Sequence, residues 1–329
     1  MAENPLLALP HLDTDRQRVE EELRLAVQAP TAAISEMAGH LIGAGGKRVR
    51  PLFAVAAAAC AEGHDGPASL DVVRGGVSVE LVHLGSLYHD DVIDEAVTRR
   101  GIESVNARWG NLRAILSGDF LLAKASEIAA SLGTEVAGLL AATIGRLCEG
   151  EVLELDDAYQ VTRTEDAYLR AIEGKTASLL STACRIGGIV GGLDRPDIER
   201  LTAFGRAYGM AFQIVDDILD VTATDEELGK PAGHDLKEGA YNLPTLRALA
   251  GSSGDQLRAV LGAPIDGESW ERARTVVRES EGIDEAREVA RAYVVEAVDL
   301  LAPFEDRPAA VALQGAARHL VDAMPTRTA

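Results

Sequence analysis

Lysine is scarce in this chain. Only five occur among 32 basic residues: Lys47, Lys124, Lys175, Lys230 and Lys237. Basic charge as a whole is short, with 52 acids giving a net charge of −20, which excludes a broad basic face for DNA or RNA. Aromatic residues make up 4% of the 329, too few for an aromatic-rich β-sandwich core. No apolar run approaches a membrane span; the longest, Leu52 to Ala61, has ten residues. The first residues carry acids and a proline rather than a basic start and an apolar core, so no signal peptide is expected and the placement is cytoplasmic. Three scattered cysteines, Cys60, Cys148 and Cys184, fit neither a disulfide framework nor a zinc site. They read as three buried thiols in a reducing cytoplasm. The remainder is ordinary: 47% hydrophobic and 26% charged residues exclude a mostly disordered chain.

What is abundant is alanine and leucine at helical spacing. The pattern predicts helices within 13–42, broken at Pro30-Thr31, then from Pro51 to about 61 and over 69–95. Further helices are expected near 111–132, 134–156, 165–190, 195–221, 243–250, 254–261, 267–279, 284–303 and 308–323. Val77–Leu87 and Phe204–Leu219 are apolar nearly all round, which marks buried helices. The connections are short except 222–242, a polar stretch with three glycines and a proline; loops of that length are more often functional than idle. No disorder-prone linker divides the chain, so the expected class is all-α, one domain of many helices.

Both apolar helices end in the same acidic pattern. Asp90-Asp91-Val92-Ile93-Asp94 closes one, and Asp216-Asp217-Ile218-Leu219-Asp220 closes the other. Positions i and i+4 share a helix face, so Asp90 points with Asp94 and Asp216 with Asp220. Like charges at that spacing are unfavourable, and they stand at helix C-termini, where the dipole also disfavours anions. A hard divalent cation with oxygen ligands compensates such a cost. Mg²⁺ uses one or two carboxylates and fills its octahedron with water and phosphate oxygens. Cations for a polyphosphate stand nearby in sequence. Gly45-Gly46-Lys47-Arg48-Val49-Arg50-Pro51 sets three beside a glycine turn, and Arg99-Arg100-Gly101, Lys175-Thr176 and Gly229-Lys230-Pro231 add more. A nucleotide P-loop is rejected, because Lys47 is followed by Arg48 and Leu41 stands where its first glycine belongs. Lys124 and Lys237 read as surface.

At this point the sequence resembles the trans-isoprenyl diphosphate synthases, the polyprenyl synthetase family. The matching motifs are GGKRVRP at 45–51, HLGSLYHDDVID at 83–94, RRG at 99–101, GD at 118–119, KTA at 175–177, FQIVDDILD at 212–220 and GKPAGHDL at 229–236. The resemblance implies a single-domain bundle of antiparallel helices around a central cavity, the isoprenoid synthase-like fold, in a homodimer. It would occupy 1–329, with 1–30 a helical extension on a core of about 35–325. It also implies Mg²⁺, three ions per active site, held by Asp90, Asp94, Asp216 and Asp220, with Asp91 and Asp217 in secondary roles. Arg99, Lys175, Thr176, Gln213 and Lys230 would contact an allylic diphosphate, and Lys47, Arg50, His83 and Arg100 isopentenyl diphosphate. Asp90, Asp94, Arg99, Lys175 and Asp216 would carry catalysis, a prenyl transfer that adds one five-carbon unit per cycle in trans geometry. Three departures stand out: Ala240 where many members carry Lys, Asn242 where Thr is common, and Glu154 where Gln is common.

Product length is read from the helix before the first acidic cluster. Bulky aromatics four or five positions before Asp90 form a floor in short-chain members; here those positions are Ser86 and Gly85. With a turn of about 5.4 Å per isoprene unit, their absence favours a product longer than twenty carbons. Gly85 has a plainer reading as an aid to helix packing. A short-chain farnesyl or geranylgeranyl synthase and a non-catalytic subunit of a heteromeric synthase remain the alternatives. A terpene cyclase would need neither GGKRVRP nor RRG.

Overall fold

The computed structural model describes residues 6, 9, 11–61, 63, 66–224, 233–322 and 324. Helix dominates it. The order is α1 (Leu12–Ala26), α2 (Ala32–Gly43), α3 (Val49–Ala58) and α4 (Leu70–Ile93). A two-stranded ribbon, β1 (Thr98–Arg99) and β2 (Ile102–Glu103), follows, then α5 (Val105–Trp109), α6 (Asn111–Ser131) and α7 (Thr134–Asp156). α8 (Glu165–Ile172), a π-helical turn (Glu173–Ala177), α9 (Ser178–Val190) and α10 (Arg195–Thr222) come next. The chain closes with α11 (His234–Glu238), α12 (Leu243–Ala250), α13 (Gly254–Arg258), α14 (Gly267–Glu279), α15 (Gly282–Leu300), a short 3₁₀ turn (Ala302–Phe304) and α16 (Pro308–Asp322). Among the described residues no helix is long and apolar enough to cross a membrane.

The two long helices singled out by composition form the centre. Ser69 caps α4 by accepting from the Val72 amide, and Asp194 caps α10 by accepting from Asp197. α4 packs on α6, α3 and α9, and α10 on α9 and α15. Small residues permit these approaches: a Cβ on Gly187 would lie 2.1 Å from the Ala54 carbonyl oxygen, and one on Gly209 2.5 Å from Ala177 Cα. Two apolar clusters result, one around α3, α4, α6 and α9, the other around the C-terminal half of α10, α12 and α14. α10 contributes to both.

Three local features depart from the sequence reading. The helix expected over 165–190 is interrupted by the π-helical turn at Glu173–Ala177, which carries Lys175 and Thr176. Gly150 and Gly174 are tightly packed there; a Cβ on Gly150 would lie 2.7 Å from the Lys175 amide nitrogen. The ribbon was not expected either. Arg100 and Gly101 both take positive φ, 54° and 76°, giving the two-residue hairpin that pairs Arg99 with Ile102. The cysteines also need correction. Cys60 and Cys184 are buried, and burial pushes the Cys60 thiol up to about 12, but Cys148 is exposed because it lies on the outward face of α7.

Candidate active site

Between Gly75 and Tyr88 on α4 only His83, Ser86 and Leu87 escape burial, and beyond Tyr88 the helix opens also at His89, Val92 and Ile93. His83, Ser86, Leu87, Asp90 and Asp94 are half-buried or exposed, at the spacing of one helix face, while Leu84, Gly85, Tyr88 and Asp91 are buried. α10 repeats this design: Phe212, Gln213 and Asp216 remain accessible, and Ile214, Val215, Asp217 and Ile218 are buried. In both clusters the middle acid turns inward and is held. Asp91 accepts from Arg99 Nε at 2.7 Å, and Asp217 accepts from the Tyr168 hydroxyl at 2.5 Å and from Gln213 Nε2 at 2.8 Å. Asp220, placed with Asp216 by spacing, is buried beside α11, where its Oδ2 lies 3.4 Å from the Asp235 amide nitrogen. Arg99 also reaches Asp94, at 4.0 Å.

The electrostatics show what these carboxylates cost. Burial pushes Asp90 up to about 7; Lys175 opposes the shift, Glu151 and Asp94 add to it, and Arg99 opposes it. Asp217 is raised chiefly by burial, against hydrogen bonds from Tyr168 and Gln213, with Asp216 and Glu154 adding to the rise. A carboxylate held above its ordinary range beside other acids fits a hard cation. Among the described residues, however, no three His, Cys, Asp or Glu side chains converge on a point where a metal could be held by protein alone. The donor set therefore fits Mg²⁺ only with oxygens from water or a ligand completing the shell.

Lys175 lies between the clusters. Its Nζ is 2.8 Å from Glu151 Oε2 and 2.6 Å from Glu154 Oε2, both on α7. Beside it, the Thr176 hydroxyl donates to Gln213 Oε1 at 2.7 Å, and Gln213 donates onward to Asp217. Glu151, Glu154 and Tyr168 were missed as site residues. The Glu-x-x-Glu spacing on one helix face was the available signal for the first two; nothing local marks Tyr168. Lys230 lies outside the described residues. Lys124 pairs with Glu127 at 2.7 Å, and Lys237 is exposed, as surface residues should be.

A second group of cations gathers at the start of α3. Arg48 differs from its neighbours: in a left-handed conformation (φ 49°) it is buried, bonded to Glu20 at 2.6 Å, Glu80 at 3.2 Å and the Ile42 carbonyl at 3.0 Å. It braces the loop rather than facing a ligand, so two of the three cations of that motif remain available. Lys47 is exposed, and the buried Nε of Arg50 has no hydrogen-bond partner. Arg100 donates to the Leu41 carbonyl at 3.3 Å and to that of Gly45, which docks the ribbon turn against this loop. His83 is surrounded by this charge. Burial first, then Arg50, Arg100, Arg99 and Arg48, hold its pKa well below the ordinary value, so it is neutral. Arg50 and Arg100 thus lie within electrostatic reach of neutral His83, next to the aspartate stripe of α4.

The remaining expectations are placed as follows. Ser86 lies on the open stripe of α4, its hydroxyl donating to the His83 carbonyl at 2.9 Å. Gly85 instead faces α6, where a Cβ would lie 3.1 Å from the Gly118 carbonyl oxygen and 3.3 Å from Leu122. It serves helix packing there. Below Ser86 the same face continues to Val82 and Val79, both buried. Asn242 preserves the cap that Thr would supply: its Oδ1 accepts from the Thr245 amide at 3.4 Å and from the Thr245 hydroxyl at 3.0 Å at the start of α12, and its Nδ2 donates to Asp235 at 3.2 Å. Ala240 brings no cation to this side.

Comparison with known proteins places the chain among relatives of one family. The family model for Polyprenyl synthetase matches residues 31–278. A nonaprenyl diphosphate synthase of Mycobacterium tuberculosis is 40% identical over 299 residues, 90% of this chain and 88% of that one. A heptaprenyl diphosphate synthase component 2 of Geobacillus stearothermophilus is 39% identical over 292 residues, 88% of this chain and 90% of that one. A crystal structure of polyprenyl synthase from Caulobacter crescentus, complexed with calcium and isoprenyl diphosphate, superposes with a TM-score of 0.88 at 33% identity, covering 95% of this chain and 96% of that one.

Proposed function

The chain belongs to the polyprenyl synthetase family of prenyltransferases, and from that premise we propose that it condenses isopentenyl diphosphate with an allylic diphosphate to make a polyprenyl diphosphate longer than twenty carbons. The observation that carries this reading is the pair of aspartate stripes at the ends of α4 and α10, with Lys175 between them and a group of arginines around His83 beside the first. Asp90, Asp94 and Asp216 would hold Mg²⁺, which when bound would offset the charge developing on the departing diphosphate; Asp220, expected to join them, is covered by α11 and is left out of the set. The relative crystallised with calcium and isoprenyl diphosphate supports the use of a divalent ion in the reaction.

The protein's own groups do the rest. Arg99, Lys175 and Lys230 supply positive charge to the allylic diphosphate as its C1–O bond breaks, with Thr176 and Gln213 as polar contacts. Lys47, Arg50 and Arg100 hold isopentenyl diphosphate, and neutral His83 contributes a hydrogen bond without another charge. Fixed there, its double bond reaches the allylic carbon; C1 bonds to C4, and a proton leaves C2 for the released diphosphate. Leu87, Phe212 and the apolar helix faces keep water from the cation. Incubation with Mg²⁺, labelled isopentenyl diphosphate and each allylic primer, followed by sizing of the dephosphorylated products, tests the reading. Products beyond twenty carbons are expected, and a stop at fifteen or twenty sinks the length assignment.

Ser86 gives a sharper check. Ser86→Phe puts a ring on the open stripe one turn below Asp90, about one isoprene unit from the reacting carbon. The longest product should fall to about fifteen carbons on the same assay; unchanged product length would place the path of the growing chain elsewhere.

The exposed sides of α6 and α7 support the homodimer. Leu112 is 80% exposed and Leu116 61%, and Ile115 on α6 and Val152 and Leu155 on α7 are exposed as well. Exposed apolar surface of this kind marks association faces. Leu116→Glu should turn the dimer into a monomer by light scattering at micromolar protein; a wild-type chain that already runs as a monomer removes this part of the proposal. The relative named component 2 favours one second reading, in which this surface receives a different subunit and the chain alone is inactive. Turnover by the purified chain decides between them.

A further inference from the structure

Among the described residues Lys175 is the lysine placed between the two aspartate stripes, yet its ammonium group is already engaged. Glu151 and Glu154, one turn apart on α7, lie 2.8 and 2.6 Å from its Nζ. One cation against two acids leaves this trio with one excess negative charge. The acids also bear on the stripes themselves: Glu151 is among the charges that disfavour ionised Asp90, and Glu154 among those that disfavour ionised Asp217. A diphosphate entering here meets a negative cluster whose cation is committed elsewhere.

The pairing is built to open. Lys175 is about a third exposed, as is Glu154, and ion pairs this accessible are weak. The π-helical turn carrying Lys175 is pinned to α7 at Gly150 and Gly174, so the backbone is fixed and only the lysine side chain is free to exchange partners.

We propose that Glu154, with Glu151, acts as an internal counter-ion that holds Lys175 until a diphosphate displaces it, so that the acid at position 154 sets how tightly the allylic diphosphate binds. Glu154 is then a positioning residue that acts through Lys175. The identity of the diphosphate as allylic rests on the prenyl-transfer reading; the exchange of a carboxylate for a phosphate does not.

The test is calorimetric titration of the full chain with inorganic pyrophosphate at saturating Mg²⁺. Glu154→Gln keeps the shape and removes one negative charge. It should tighten pyrophosphate binding by about three- to tenfold, the effect of one like charge at a partly solvated site. The KM for the allylic substrate should fall by the same factor, with the KM for isopentenyl diphosphate unchanged. In a Lys175→Gln background the gain from Glu154→Gln should largely vanish, which a general effect of charge would not show. Equal affinity in wild type and Glu154→Gln overturns the proposal. So does weaker binding that recovers at higher Mg²⁺, which would make Glu154 a metal ligand. Because pyrophosphate binding needs no prenyl transfer, the wild-type elongation assay judges the catalytic reading separately.

Discussion

Asp90→Asn is expected to cut prenyl transfer roughly a thousandfold, the scale of removing one stabiliser of transition-state charge, while leaving the fold intact or firmer. The two halves of this result share one cause. Asp90 lies on the open stripe of α4, and its carboxyl is pushed up to about 7 by burial, with Glu151 and Asp94 adding to the rise. In the metal-free protein the ionised group therefore opposes folding. The folded pKa exceeds the ordinary 3.8, so the native state binds more protons than the unfolded one between those values. Stability from this group falls as pH rises through that window. Asparagine removes the penalty, so in chelator the Tm advantage of Asp90→Asn should be absent near pH 4 and full above pH 7. Initial rates with labelled isopentenyl diphosphate and paired melts at the two pH values check both halves. A variant that keeps its rate, or melts lower at high pH, would remove Asp90 from the site.

Arg50→Gln should raise the KM for isopentenyl diphosphate by roughly tenfold to a hundredfold, the range of a charge-assisted hydrogen bond lost to an anion. Arg50 is singled out by what it lacks. Arg48, two residues earlier, is saturated by Glu20, Glu80 and a carbonyl, whereas the buried Nε of Arg50 has no hydrogen-bond partner. Burial and the neighbouring Arg100 both disfavour its charge, and Glu80 favours it. A bound phosphate would satisfy the open donor and the charge together. The KM for the allylic substrate should stay within about twofold, because Lys175 and Arg99 serve that end. An equal rise in both constants would mean that Arg50 shapes the loop and does not read the substrate.

Several elements of the site were legible because helix geometry is local. Four-residue spacing puts Asp90 and Asp94 on one face without knowledge of any partner, and in the structure both are accessible on the face that also carries His83 and Leu87. The same rule applied to Asp216 and Asp220 meets a tertiary constraint, since Asp220 is covered by the start of α11. Spacing cannot tell which side of a helix a neighbour will occupy. Gly85 shows this also: adjacent to Ser86 in sequence, it points at α6 because Gly118 lets the two helices meet there. Glycine pairs of this kind have no signature that separates packing from an open cavity.

The sequence by itself determined the class: a helical chain with two acidic clusters closing apolar helices, short of the basic charge that nucleic acid requires. Those features depend on composition and on contacts within a turn or two. Tertiary structure alone decided which charges are available. Arg48 and Arg50 differ by two positions, yet one is consumed by Glu20 and Glu80 and the other keeps an open donor. Lys175 meets Glu151 and Glu154 only because the π-helical turn packs against α7. The strength of a charge follows its distance to other charges and its access to water, and both are set by segments far apart in the chain.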